Sequence, residues 1–130
     1  MTPFDESIVE EFVIEAKEHL ERVERDLLSL EKSKDALNYD KINEIFRGIH
    51  TIKGASGFLG FIKIGELSHI METLLAMIRA KEAIPEGKHF DSLLKGVDLL
   101  KTMIDDTGSS NAMDISNVHS VLSSLINKKP

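Results

Sequence analysis

The chain has 130 residues, 42% of them hydrophobic, enough for one well-buried core and too few for two comfortable domains. It contains no cysteine, which excludes disulfides, thiolate metal sites and cysteine nucleophiles and fits a reducing compartment such as the cytoplasm. A net charge of −6, an acidic N-terminus (Asp5, Glu6, Glu10, Glu11), no basic or aromatic stripe and no apolar run near the ~20 residues of a membrane span argue against nucleic acid, secretion and membrane insertion.

Val9, Phe12, Val13, Ala16, Leu20, Val23, Leu27 and Leu30 recur at spacings of three and four, which predicts a long amphipathic helix over 6–32. Asp5 is its expected N-cap, with Phe4 placed to staple onto Val9. A polar turn from Ser33 to Tyr39 leads to Asp40, the expected N-cap of a second helix, which Ile42, Ile45, Phe46, Ile49, Ile52 and Leu59 carry and Gly60 closes. A third helix is predicted from near Lys63 through Ile64, Leu67, Met71, Leu74, Leu75 and Ile78 to about Ala83, where Ile84-Pro85-Glu86-Gly87 breaks it. The link between the second and third is so short that they should lie antiparallel. Phe90, Leu93, Leu94, Val97, Leu100 and Ile104 mark a fourth helix ended by Thr107-Gly108-Ser109-Ser110, and a shorter fifth runs from Ile115 to Asn127. Strand-like alternation is absent. The expected architecture is all-α: an up-and-down four-helix bundle with an additional C-terminal helix over 1–127, followed at 128–130 by the start of a linker.

Within the second helix, His50 is followed by Lys53 at i+3, Gly54 at i+4 and Gly57 at i+7. These offsets surround one point on a helix, so the glycines remove bulk around the imidazole while the lysine adds charge beside it. Each interior glycine costs roughly 1 kcal/mol relative to alanine, a loss of stability that access would explain. At ~100° per residue His50 lies roughly 120° from the centre of its helix's apolar stripe, and Glu72 has the same offset on the third helix. Antiparallel packing lets the two meet across the groove, with His69 one turn before Glu72. A carboxylate that accepts from Nδ1–H fixes the tautomer and leaves the Nε2 lone pair free as a nucleophile. With Lys53 read as a solvated cation, and Arg47 at i−3 adding charge, the matching electrophile is a phosphoryl group.

His50-Thr51-Ile52-Lys53-Gly54-Ala55-Ser56 with Leu59-Gly60 resembles the signature of the histidine phosphotransfer (HPt) domain family. His69-Ile70-Met71-Glu72-Thr73-Leu74-Leu75 ending in Arg79, and Phe12 to Leu20 in the first helix, are most similar to the N-terminal P1 domains of chemotaxis kinases of the CheA type. The resemblance covers nearly the whole chain. It implies that His50 is the phosphoacceptor, Glu72 its orienting carboxylate, and Lys53 and His69 members of the surrounding network. It also implies two partners: a separate ATP-binding histidine kinase domain that phosphorylates His50, and a response-regulator receiver domain whose aspartate removes the phosphoryl group. One departure is that Lys81-Glu82 stand where a glycine often follows the turn after the arginine, which puts that turn in question. No cofactor is expected in this chain, because Gly54-Ala55-Ser56-Gly57-Phe58 lacks the spacing of a P-loop and no room remains for an ATP-binding α/β domain; ATP and magnesium belong to the kinase domain.

Two other readings are a metal site built from His50, His69 and Glu72, and a passive helical adaptor with solvated histidines. The His-x-x-Glu order reverses the Glu-x-x-His of di-iron bundles, and a metal gives no reason for Lys53. His19, His89 and His119 are expected to be ordinary polar-face or helix-start histidines.

Overall fold

The Asp5 carboxylate accepts the Ile8 N–H at 3.1 Å and starts α1 (Glu6–Lys32), the longest helix, with Glu6 in its first turn where the helix dipole favours an anion. The structure, a computed structural model, describes residues 5–33 and 37–127, so the Phe4 staple and the linker at 128–130 lie outside the described residues. Helix α2 spans Tyr39–Leu59 and begins at Asn38, not Asp40. The Asn38 side chain, on extended backbone, accepts the Lys41 N–H at 3.2 Å, and Asp40 sits one residue inside the first turn. Gly60 ends α2 with φ of 82°, and the Phe61 N–H reaches back to the Ser56 carbonyl at 2.9 Å.

Helix α3 (Ile62–Arg79) is shorter than the periodicity suggested, ending at Arg79 where about Ala83 was expected. Apolar spacing continues through Ala83, but the chain closes with a Schellman pattern: Lys81 N–H to Ile78 C=O at 3.0 Å and Glu82 N–H to Met77 C=O at 2.9 Å. Lys81 takes the left-handed position there, with φ of 64°, so the turn in question forms without its usual glycine. Helix α4 (Gly87–Asp105) is opened by a reciprocal capping box in which the Glu86 N–H donates to His89 Nδ1 at 2.9 Å. His89 is 6% exposed, so it is a buried capping residue and not the solvated histidine the sequence suggested. Thr107-Gly108-Ser109-Ser110 does end α4, but it folds into a 3₁₀ helix, Thr107–Ala112, before α5 (Ser116–Asn127).

Helix α1 packs on α2 and α4, and α3 packs on the same two, closing a four-helix bundle; α5 lies against α3 and α4. Leu20, Leu27, Ile42, Ile45, Ile49, Ile52, Ile64, Leu67, Met71, Leu74, Leu75 and Ile78 are fully buried along the stripes that the spacing marked. Among the described residues no helix is long and apolar enough to cross a membrane.

The α2–α3 corner sets the register on which the site depends. Asn111 clamps it from the 3₁₀ segment, donating to the Gly60 carbonyl at 3.1 Å and accepting the Lys63 N–H at 3.3 Å. His50 lies ten residues before Gly60 and Glu72 eleven after Phe61, so at 1.5 Å per residue both stand roughly 15 Å from the corner.

At Gly96 a Cβ would fall 2.7 Å from Met71 Sδ and 3.0 Å from its methyl carbon, inside the α3–α4 contact. Overpacking a buried contact costs about 1–3 kcal/mol, more than the ~1 kcal/mol that alanine returns to a helix. Gly96→Ala is therefore expected to lower unfolding stability by roughly 1 kcal/mol in urea denaturation; an unchanged midpoint would show that Met71 moves aside freely.

Candidate functional site

His50 and Glu72 face each other across the α2–α3 groove, His50 Nδ1 lying 2.5 Å from Glu72 Oε2. A carboxylate offers no proton at neutral pH, so the ring nitrogen donates, and Nε2 on the far edge keeps the lone pair. The other oxygen, Oε1, accepts from Lys53 Nζ at 2.7 Å. One carboxylate thus joins two side chains of α2, spaced three residues apart, to a single position on α3.

Exposure divides the three. The His50 side chain is 60% exposed, whereas Lys53 is 29% and Glu72 only 12% exposed. Burial by itself would raise the Glu72 pKa. Hydrogen bonds and charge from Lys53 and His50 outweigh it and hold the carboxyl below the usual glutamate range. Lys53 is therefore not the solvated cation read from the sequence. Its ammonium is committed to Glu72, and the charge it presents to an incoming anion comes from within that ion pair.

His69 is exposed on α3, one turn before Glu72, and makes no hydrogen bond with the other three. Among the described residues no three His, Asp or Glu side chains converge as metal ligands, so His50, His69 and Glu72 do not form the set that a metal site would need. Arg47 lines a groove between α1 and α2 together with His19, Arg22, Asp26 and Glu44. A Cβ on Gly54 or Gly57 would meet nothing within 4 Å. Neither glycine is needed for packing inside this chain, which leaves the surface around His50 low and open.

The spacing did not reveal the neighbours of the imidazole. Phe46, one turn before His50, was read as a core position, but it is half-buried and its ring lies within 9° of parallel to the imidazole, centroids 6.0 Å apart. The Arg79 guanidinium sits 3.9 Å from the centroid of the Phe46 ring and donates to Asn43 Oδ1 at 3.3 Å. Only the i−4 offset of Phe46 from His50 hinted at this contact.

A model of the Hpt domain family matches residues 7–110. This chain belongs to the Hpt domain family. The Hpt domain here is 41% identical over 107 residues to the sensor histidine kinase CheAY of Helicobacter pylori, a match covering 80% of this chain and 13% of that protein. The chain therefore spans a small part of the length of that relative. Its fold superposes on the phosphorylated P1 domain of CheA3 in complex with CheY6 from R. sphaeroides with a TM-score of 0.82 and 27% identity, covering 92% of this chain and 95% of the other. A CheA phosphotransferase domain from Thermotoga maritima gives a TM-score of 0.70 at 36% identity, with 78% and 94% covered. The family match stops before α5, which packs on the bundle as an additional helix.

Glu72→Gln should separate charge from shape, since the amide keeps the size but gives neither nitrogen of α2 a full negative partner. The neutral His50 of the parent is expected to be mainly the Nδ1–H tautomer by ¹⁵N NMR, and the variant a mixture. The carboxyl is held below its ordinary value of 4.5, so its contribution to stability is complete above that pH and is lost as pH falls through the lowered folded value. Acid denaturation below pH 4.5 should accordingly be steeper for the parent than for the variant; superimposable curves would mean that the carboxylate contributes nothing to folding.

Proposed function

We propose that this Hpt domain is the phosphoacceptor module of a CheA-type chemotaxis kinase, with His50 carrying the phosphoryl group. The observation that supports this most directly is the exposed imidazole whose Nδ1 is held by a largely buried carboxylate, leaving Nε2 toward solvent. In the first step the Nε2 lone pair attacks the γ-phosphorus of ATP held by a separate kinase domain. The bond from that phosphorus to the bridging oxygen breaks, and ADP leaves with the electron pair. Glu72 stabilises the imidazolium that develops through the Nδ1–H bond, and the charge of Lys53 offsets the anionic group arriving beside it. In the second step a carboxylate oxygen of a response-regulator aspartate attacks the phosphorus. The N–P bond breaks and its pair returns to Nε2, restoring the neutral Nδ1–H ring.

The partners are accordingly an ATP-binding kinase domain and a receiver domain, and the work is done in the cytoplasm where ATP is available. The module extends through α5 to Asn127. Magnesium and nucleotide are bound by the kinase partner. His69, exposed one turn from Glu72, belongs to the rim that such a partner would cover.

His50→Gln is expected to keep the fold, since the side chain is mostly in solvent, and to abolish acid-labile labelling when the domain is incubated with a CheA kinase core and ATP. Undiminished labelling of that variant would remove His50 from the role. Gly54→Ala should have opposite effects on stability and reactivity. With open space around the new methyl, stability should rise by about 0.5–1 kcal/mol, while phosphoryl acceptance from the kinase slows because the methyl stands one turn from His50 in the path of an approaching domain. A stabilised variant that is labelled at the parent rate would show that the glycine does not serve access.

A further inference from the structure

The His50–Glu72 hydrogen bond leaves one freedom unaccounted for. An imidazole held at a single nitrogen can still swing about the Nδ1···Oε2 line, carrying Nε2 out of the direction from which a phosphorus atom must be attacked. Beside it, on the preceding turn of the same helix, the Phe46 ring lies nearly parallel to the imidazole at 9°, centroids 6.0 Å apart.

Phe46 is itself held from α3. Arg79 covers its ring at 3.9 Å and is anchored by its bond to Asn43, one turn further back on α2. Arg79 is the last residue of α3. Lys81 adopts its left-handed conformation two residues later, and its ammonium lies 4.8 Å from the centroid of the Tyr39 ring, joining the end of α3 to the start of α2 a second time. A cation in the last helical turn is also favoured by the helix dipole. Arg79 is exposed and Phe46 only partly buried, packing at the edge of the core, whereas Ile42, Ile45 and Ile49 are the fully buried residues of this part of α2.

We propose that Phe46 and Arg79 form a positioning pair for the phosphoacceptor: the guanidinium fixes the Phe46 ring, and that ring fixes the plane of the His50 imidazole so that Nε2 faces the incoming phosphorus. This rests on the reading of His50 as the phosphoacceptor. Both are positioning residues, because they act through His50 and touch no reacting atom.

The test uses potassium phosphoramidate, a small donor that needs no kinase docking. The Nε2 lone pair attacks its phosphorus, the P–N bond breaks and ammonia leaves. Phe46→Leu keeps an apolar side chain but no plane; Arg79→Gln removes the cation at an exposed site, and Arg79→Lys restores charge without the planar fork. Phe46→Leu and Arg79→Gln are expected to lower the rate of His50 phosphorylation by about three- to tenfold, the scale of an aromatic pair, with Arg79→Lys intermediate. The ¹⁵N and ring-proton shifts of His50 should move in both variants while those of His69 and His119 stay as in the parent.

Parent-like rates and His50 shifts would overturn the positioning role. So would equal disturbance of all the histidines, because that would mark a general loosening of the fold. A parent that is labelled at His50 while the variants match it sinks this inference alone. A parent that is not labelled at His50 removes the phosphoacceptor reading, and this inference with it.

Discussion

A carboxylate that is nearly out of solvent has to find donors, and in this molecule both come from the neighbouring helix. Glu72 splits its two oxygens between His50 and Lys53, so the α2–α3 groove is closed by one acidic group answering two cationic or proton-bearing ones. Together the two bonds outweigh the cost of burying the carboxylate, which stays ionised below the usual glutamate range. The helices are therefore held in the one register that satisfies it, and that register is set ten residues away. Gly60 permits the tight turn, and Asn111 pins the corner from outside the hairpin. The fold and the site share a constraint: the spacing that buries the apolar stripes of α2 and α3 also brings His50, Lys53 and Glu72 to the same height.

Reactive groups on loops gain access at the expense of fixed direction; here the reactive ring stands on a regular helix, and access comes from the residues beside it. Gly54 and Gly57 face open space, in contrast to Gly48 and Gly96, whose absent side chains admit Val23 and Met71. The same residue type thus serves two different ends in this chain. At the helix contacts it lets elements approach; beside the imidazole it keeps the surface low. Rigid backbone beneath and an empty rim above suit a group that, on the proposed function, meets two unlike protein surfaces in turn.

Much of this was legible from the sequence, because it rests on periodicity. The apolar spacing located five helices, and matching angular offsets from the apolar stripes of α2 and α3 set His50 opposite Glu72. What escaped the sequence depends on hydrogen-bond competition at element ends and on side-chain direction. Asn38 outcompetes Asp40 as a cap because its backbone is extended where the side chain can reach the Lys41 N–H. Lys81 accepts a left-handed conformation that spacing alone assigns to helix, and α3 stops four residues early. His89 reads as a surface histidine until Glu86 is seen to donate to its ring. Lys53 looked solvated because its position is near the polar face, yet its long side chain leads back into the groove. Phe46 fitted the apolar stripe, and periodicity could not tell a half-buried ring beside the site from a core one.

The direction of the Glu72 bond bears on how a phosphoryl group would survive on this domain. A carrier has to hold a reactive N–P bond long enough to meet its acceptor, so nearby groups that could activate water against it are a liability. The carboxylate at the centre of the site lies on the Nδ1 edge of the ring, while the phosphoryl group would sit on Nε2 at the opposite edge. Both carboxylate oxygens are already engaged, and the lowered pKa of Glu72 makes it a poor base. The group that makes Nε2 a good nucleophile is thus placed and charged so that it does little to deliver water to the product. On the proposed function, removal of the phosphoryl group falls to an aspartate of a partner, and His50, Lys53 and Glu72 are not placed to compete with it.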